Sequence, residues 1–508
     1  MSFPIIDKKS NFSQALWLSI GYTCSMLVGI LSSAILSRYF DKAEYGTYRQ
    51  VMYVYHIFTT IFVAGFPAAF TYFLPRLSKE EGKSLVKKID RTLFLLGALC
   101  SAALLFGSDF LARLLNNPEL STALKLFSVF PLFTMPAIGV EGIYTVNKKT
   151  EFVAIYNIVT RLLMLLCIVL PVVLIKSDYK YALIGWGVAS FIGFVIAVIA
   201  KKRVYSNVIA LPHASDMIGD VIRYIAPVIV SSIVTMFLTS ANQFFISRYY
   251  GVEAFAEYSN GYFTLPFAVI FITPVRNILT PIFAKSSLNN DYSNALTTLY
   301  SSTRKIILLM LPLVLFAFVF AEDIMVFLYG AQYASSYVFF RLILCFNFIE
   351  MFPFSVILTA IGKTKQIMYF DIICTCLLWS LDFFLIRIGI ASPIIIAVIF
   401  IILNSMTKYF LPAIYLRITY GIRVVDKETL SYLLRCGLNV LIVLIGVYFM
   451  SDYLLSTVHS FTRLLMALTV FYALLVFTSR AFGLNYISAV LQNFTKNANE
   501  RNEKKSGF

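Results

Sequence analysis

Charge is scarce in this sequence. Only 13% of its 508 residues are Asp, Glu, Lys or Arg, against about 25% in an ordinary soluble domain. Long polar segments are missing too: the stretches between apolar runs reach roughly twenty residues, too few for a soluble catalytic domain. Cysteine is sparse and carries no chemistry. Cys24, Cys100, Cys167, Cys345, Cys374, Cys376 and Cys436 all lie inside apolar runs. Cys374-Thr375-Cys376 lacks the two-residue spacing of redox and zinc motifs, so these read as small core residues without disulfides. A phosphate loop is lacking as well. Gly82-Lys83-Ser84 and Gly362-Lys363-Thr364 mimic its end, but Leu77 and Ile357 stand where its first glycine belongs. The sequence thus shows no sign of ATP binding, and transport energy is expected from an ion gradient, the membrane potential or substrate flux. No catalytic constellation and no metal-ligand cluster is visible.

What the sequence has is apolar residues. They make up 59% of it, with a mean hydropathy of +0.81; soluble domains average about 45–50%. A helix needs about 20 mostly apolar residues to cross a bilayer. Fourteen runs qualify: 14–37, 50–75, 92–114, 122–146, 152–175, 181–200, 219–246, 258–284, 303–328, 337–361, 367–388, 392–416, 433–453 and 462–482. The expected fold class is an all-α integral membrane protein of about fourteen helices. The first run follows Lys8 and Lys9 as in a signal peptide, but it is long enough to span and lacks a small-residue cleavage site. It is read as a retained helix.

The net charge of +16 does not point to nucleic acid, because the basic residues sit mostly in short loops. There they set topology and meet anionic headgroups. With the N-terminus in the cytoplasm, inner segments hold 28 Lys and Arg and outer segments 11. The positive-inside rule then places both termini in the cytoplasm.

Three patterns recur in order. Ser37-Arg38-Tyr39-Phe40 with Glu44-Tyr45 is echoed by Ser247-Arg248-Tyr249-Tyr250 with Glu257-Tyr258, Arg38 and Arg248 being 210 positions apart. Asp109 in Phe106–Phe110 is echoed by Asp323 in Phe320–Ile324 at 214, and Lys148 by Lys363 at 215. Internal duplication is a common transporter plan, with substrate bound between the repeats. The expected organisation is an N-terminal lobe over 1–205 (helices 1–6) and a C-terminal lobe over 206–418 (helices 7–12). Two further helices occupy 419–490, and 491–508 forms a disordered cytoplasmic tail.

Three basic residues fall within the runs: Arg161, Arg223 and Arg276. Arg276 lies nine residues from Lys285, about 14 Å along a helix. A charge at that depth usually faces a polar cavity and marks a pathway; the bland alternative is a structural ion pair. Pro266, Pro274 and Pro281 suggest kinks around it. Arg161 is equally deep, with structural and substrate roles both open, and Arg223 reads as an interfacial anchor. On helix 2, Arg49, Tyr53 and His56 share one face at helical spacing. Such a stripe suits a phosphate or sugar, or else hydrogen bonds between helices. Arg38 and Arg248 either anchor the outer ends of helices 1 and 7 or form a cavity mouth. Glu141, Glu350 and Asp371 are acids within helices, each a candidate for H⁺ or Na⁺ coupling or for pairing with an arginine. Glu350 is expected at the centre of helix 10.

The run Arg38-Tyr39-Phe40 with Glu44-Tyr45-Gly46 and Tyr48 resembles the segment after the first helix of polysaccharide-export flippases. The run from Pro312 through Phe320-Ala321-Glu322-Asp323-Ile324 to Leu328-Tyr329-Gly330-Ala331-Gln332-Tyr333 looks like their ninth-helix signature. These are the Wzx-type oligosaccharide transporters, in the superfamily shared with lipid II flippases and MATE exporters. The resemblance covers roughly residues 12–416. It implies two six-helix lobes, alternating access, and a cavity lined by helices 1, 2, 7 and 8, on which Arg276 falls. It also implies a substrate of undecaprenyl-pyrophosphate-linked oligosaccharide, moved from the cytoplasmic to the periplasmic leaflet of a bacterial inner membrane. The products served would be O-antigen and lipopolysaccharide, capsule or exopolysaccharide. Helix 1 lacks the buried arginine of lipid II flippases, which argues against a peptidoglycan substrate.

The expected function is thus a non-enzymatic flippase without cofactor, coupled if at all to H⁺ or Na⁺. Arg276, Arg49, Arg38, Arg248, His56 and Tyr53 would contact substrate. Its partners would be the lipid-linked oligosaccharide, membrane lipids, a polysaccharide polymerase and glycosyltransferases, with no nucleic acid. The rival is a MATE-like drug/cation antiporter, which should favour acids in the cavity. A membrane glycosyltransferase or polymerase would need a catalytic outer loop, and a scaffold would not need Arg276.

Overall fold

The computed structural model describes residues 11–206, 208–209, 217–263, 265–289, 291–454 and 460–486. The expected tail at 491–508, Lys8 and Lys9 lie outside them. Among the described residues there are helices and no strand. In order they are α1 Asn11–Tyr39, α2 Lys42–Val63, α3 Phe66–Phe73, α4 Lys79–Leu114, α5 Glu119–Phe127, α6 Pro131–Ala137, α7 Val140–Val146, α8 Thr150–Leu174, α9 Tyr179–Val204 and α10 Met217–Gly261. They continue with α11 Pro266–Asn289, α12 Ser293–Val319, α13 Ala321–Tyr329, α14 Tyr337–Glu350, α15 Phe354–Ala360, α16 Thr364–Arg387, α17 Pro393–Ser405, α18 Leu411–Tyr420, α19 Lys427–Leu454 and α20 Ser460–Ser479. A π-turn over Met406–Phe410 joins α17 to α18.

Ten described helices are long and apolar enough to cross a membrane, or thirteen if each of three bent pairs is one span. The run expected at 258–284 corresponds to α11, which is outside that count. The chain is thus an all-helical multi-pass membrane protein, with a count of fourteen not reached among the described residues.

Proline and glycine explain the bends. Expected helix 2 breaks at Ala64-Gly65 into α2 and α3, with Pro67 in the first turn of α3 and a 40° change of direction. Expected helix 4 is three pieces with a 50° bend. Pro131 starts α6, and Pro136 lies near its end. Expected helix 10 bends by 50° between α14 and α15, where Pro353 precedes Phe354. Proline cannot donate to the previous turn, and it pushes the residue before it out of the α region. The ends of α6 and α14, Ala137 and Glu350, are 213 positions apart, so the break itself recurs at close to the spacing of the sequence echoes.

By packing, the chain divides into two compact units, Met1–Asn260 with Asp371–Phe400, and Gly261–Phe370 with Ile401–Phe508. In the first, α8 and α9 pack backbone to backbone. A Cβ at Gly185 would stand 1.9 Å from the Cys167 carbonyl oxygen, so only glycine permits that approach, as small residues do between membrane helices. A ring cluster of Tyr55, Phe127, Phe130 and Trp186, with centroids 4.9–6.3 Å apart, fills the space beside it. In the second unit, α19 and α20 form a hairpin tied by Arg463 Nε donating to Ser451 Oγ at 2.9 Å. Its rings meet the rest of the unit through Phe316–Phe471 and Phe327–Phe461, at 5.2 and 5.0 Å.

Candidate functional site

The polar centre of the second unit forms around Arg276. Pro274 and Pro281 lie inside α11. Each removes one N–H and frees a carbonyl, loosening the helix on either side of the arginine. Glu350 is the last residue of α14, not the middle of a continuous helix as expected, because Pro353 breaks the span after it. A carboxylate at a helix C-terminus opposes the macrodipole, so it needs a cation. Arg276 Nη2 supplies one at 3.6 Å from Glu350 Oε1, with side chains 41% and 21% exposed. Asn347, one turn earlier, donates from Nδ2 to Glu350 Oε2 at 3.1 Å. Tyr262 and Tyr409 stand within electrostatic reach of the same carboxylate. Tyr409 sits in the π-turn, a distortion that often marks function. Two buried polar atoms of the cluster, Arg276 Nε and Asn347 Oδ1, have no hydrogen-bond partner among the described residues. The ion pair leaves the guanidinium half-exposed, so the arrangement can hold an anion beside the arginine and offer further donors and acceptors to it.

In the first unit the α2 stripe divides. Arg49 Nη2 donates to the Ser259 carbonyl at 3.2 Å and Tyr53 to the Ser240 carbonyl at 3.3 Å, so both engage α10. His56, the third member, is exposed. The surrounding seam joins the two copies of the repeated motif. Lys42 Nζ pairs with Glu257 Oε1 at 2.5 Å, and Tyr45 donates to Asn260 Oδ1 at 2.6 Å. Asn117 Nδ2 donates to Gln50 Oε1 at 2.6 Å, and Gln50 Nε2 to Ser247 Oγ at 2.7 Å. The helices approach closely here, since a Cβ on Gly46 would lie 2.3 Å from the Val252 carbonyl oxygen. Arg248 Nη1 donates to the Arg113 carbonyl. Arg38 is exposed in the last turn of α1, where a cation suits the dipole.

The remaining acids fall at separate places. Glu141 and Arg161 line one cavity of about 490 Å³ with Tyr156, Asn157 and Thr160. Tyr22 donates to Glu141 Oε2 at 3.0 Å. Asp371 is buried and accepts from Thr235 Oγ1 at 3.4 Å. Asp382 escaped the sequence reading. It is 0% exposed on α16, and neither carboxylate oxygen has a hydrogen-bond partner among the described residues. The signal was present, a carboxylate between Leu381 and Phe383 in an apolar run. Asn347 and the Lys42–Glu257 pair also went unread, because their meaning depends on distant partners.

Comparison with curated proteins found no match. Among solved structures, the lipid II flippase MurJ in an inward closed conformation matches with a TM-score of 0.69 and 16% identity, over 92% of this chain and 99% of that one. An outward-facing multidrug resistance MATE family transporter of the MOP superfamily matches at 0.57 and 13%, over 82% and 97%. A MOP superfamily transporter from Pyrococcus furiosus, described by the reverse polarity of its binding pocket, matches at 0.56 and 13%, over 82% and 96%. At such identities the likeness is one of fold. The MatE sequence profile matches residues 227–384. The profile described as polysaccharide biosynthesis protein matches residues 12–287, more than half of the sequence, and the chain belongs to that family.

Proposed function

We propose that this protein is a flippase that carries an undecaprenyl-pyrophosphate-linked oligosaccharide from the cytoplasmic to the periplasmic leaflet of a bacterial inner membrane, for cell-surface polysaccharide synthesis. The observation that carries the reading is Arg276, a permanent cation within a proline-loosened apolar helix, braced by Glu350 at 3.6 Å and still half-exposed. Pyrophosphate cannot cross hydrocarbon unaided, and a guanidinium offers it a planar, bidentate, permanently charged fork. Family membership supports a role in polysaccharide biosynthesis. The polyprenyl tail stays in lipid while the repeats rock around the headgroup. The α2–α10 seam of Lys42, Tyr45, Arg49 and Gln50 is, in this reading, a contact that opening must break. The protein is a transporter, not an enzyme. It needs no cofactor, and H⁺ or Na⁺ supplies coupling through Glu350, Asp371 or Glu141. The polymerase and glycosyltransferases of the same route are its functional partners. The test is translocation of a labelled lipid-linked oligosaccharide in proteoliposomes; a protein that inserts and folds but moves none of it refutes the proposal.

A second reading, a drug/cation antiporter, draws on the MatE match over residues 227–384. Efflux of a cationic dye from the same proteoliposomes, driven by a proton or sodium gradient, separates the two.

A further inference from the structure

A further cavity of the first unit is lined mainly by residues outside the clusters described above. It has a volume of about 1150 Å³ and opens between α4 and α9, larger than the ~300–1,000 Å³ of most small-molecule pockets. Its walls change character at one level. On α4, Lys83, Lys87 and Arg91 recur every four residues along one face, and Phe94 and Leu95 continue that face. On α9, running the other way, Val198 and Ile199 give way to Lys202 and Arg203. Both helices therefore pass from apolar to basic in the same direction. The basic ends belong to the segments assigned to the cytoplasm by charge bias.

Two of the six basic residues are fixed within the protein. Lys201, 5% exposed, reaches Asp90 Oδ1 at 2.6 Å and the carbonyls of Pro136 and Ile138 at 2.8 and 2.7 Å. Lys83 donates to the carbonyls of Tyr205 and Val208. The other four, Lys87, Arg91, Lys202 and Arg203, are exposed, and no carboxylate lies within ion-pair distance of them among the described residues. Asp90 is the one acid in the lining, and Lys201 occupies it. Four unpaired cations above an apolar wall, with Phe94 47%, Leu95 64% and Ile199 60% exposed, demand a ligand that is anionic at one end and hydrocarbon at the other.

We infer that this cavity binds an anionic glycerophospholipid of the cytoplasmic leaflet. The phosphodiester sits among Lys87, Arg91, Lys202 and Arg203, and an acyl chain lies along Phe94, Leu95 and Ile199. Basic pockets between membrane helices take anionic headgroups in this way. The lining shares no residue with the Arg276 cluster, and the role inferred for the lipid is to anchor or modulate the protein.

Native mass spectrometry of the full-length purified protein, titrated with phosphatidylglycerol or phosphatidylcholine, tests the assignment. Phosphatidylglycerol should be retained preferentially. Replacing Lys87, Arg91, Lys202 and Arg203 together by Gln should weaken that retention roughly tenfold or more, since each surface cation adds an attractive contribution. Lys148→Gln/Lys149→Gln, altering another cytoplasmic basic turn, should leave it unchanged. If the fourfold variant does not fold, Lys202→Gln/Arg203→Gln and Leu95→Trp, which fills the acyl wall and keeps every charge, should each weaken retention. Equal retention of phosphatidylcholine, an unaffected fourfold variant, equal loss in the Lys148/Lys149 control, or displacement by equimolar polyprenyl pyrophosphate would each overturn the inference.

Discussion

Arg276 has two roles that the same deletion would disturb, and a set of variants separates them. In the first it neutralises Glu350; in the second it binds the substrate's pyrophosphate. Removing one member of a fully buried ion pair costs about 3–5 kcal/mol. The Arg276–Glu350 pair is 3.6 Å apart with 41% and 21% exposure, so solvent screening lowers the structural loss to about 1–2 kcal/mol. Losing a charged hydrogen bond to substrate costs a further ~1.5–3 kcal/mol, or roughly ten- to a hundredfold in affinity. Arg276→Ala combines both losses. Arg276→Gln with Glu350→Gln removes both charges, so the structural loss largely disappears while the substrate loss stays. The expected result is a double variant that melts near the wild-type temperature yet translocates labelled lipid-linked oligosaccharide in proteoliposomes about ten- to a hundredfold more slowly than Glu350→Gln alone, both measured without an ion gradient. Arg276→Lys should restore part of the rate, because lysine keeps the charge and loses the fork. A double variant as fast as Glu350→Gln alone would refute substrate binding and leave Arg276 as the counter-ion of Glu350. A wild-type rate in Arg276→Ala would refute both roles.

Glu350→Gln alone should abolish dependence on a proton or sodium gradient while substrate binding persists; unchanged ion dependence would make Glu350 structural. A reporter fused after Phe508 should read cytoplasmic, and a periplasmic signal would overturn the even number of spans. Gly185→Val should lower the thermal midpoint and the folded yield, with a cost of about 1–3 kcal/mol or more, because its side chain meets the Cys167 carbonyl; an unchanged midpoint would show that α8 and α9 can separate freely. Tyr45→Phe should cost about 0.5–1.5 kcal/mol in thermal denaturation by removing the bond to Asn260, and no loss would mean that the α2–α10 seam adds nothing to stability.

The sequence by itself determined the class of the protein. Runs of twenty apolar residues with so few charges have one stable environment, because backbone groups in hydrocarbon must be satisfied within the helix. It also marked Arg276, since a charge in such a run stands out locally. What it left open concerns contacts between residues far apart in the chain. Arg49 and Tyr53 share a face on α2, and that periodicity is local; that the face meets Ser259 and Ser240 is set by the packing of α2 against α10. Glu141 was open to pairing with an arginine, and only the fold placed Arg161 around the same cavity. Glu350 read as mid-helix because hydropathy is blind to a break, and only the bend at Pro353 put it at a helix end facing Arg276. Asp382 was legible as an acid within an apolar run, but its lack of a hydrogen-bond partner among the described residues was not. Whether a carboxylate has a partner depends on every helix packed against it, and one helix's sequence carries no record of the others.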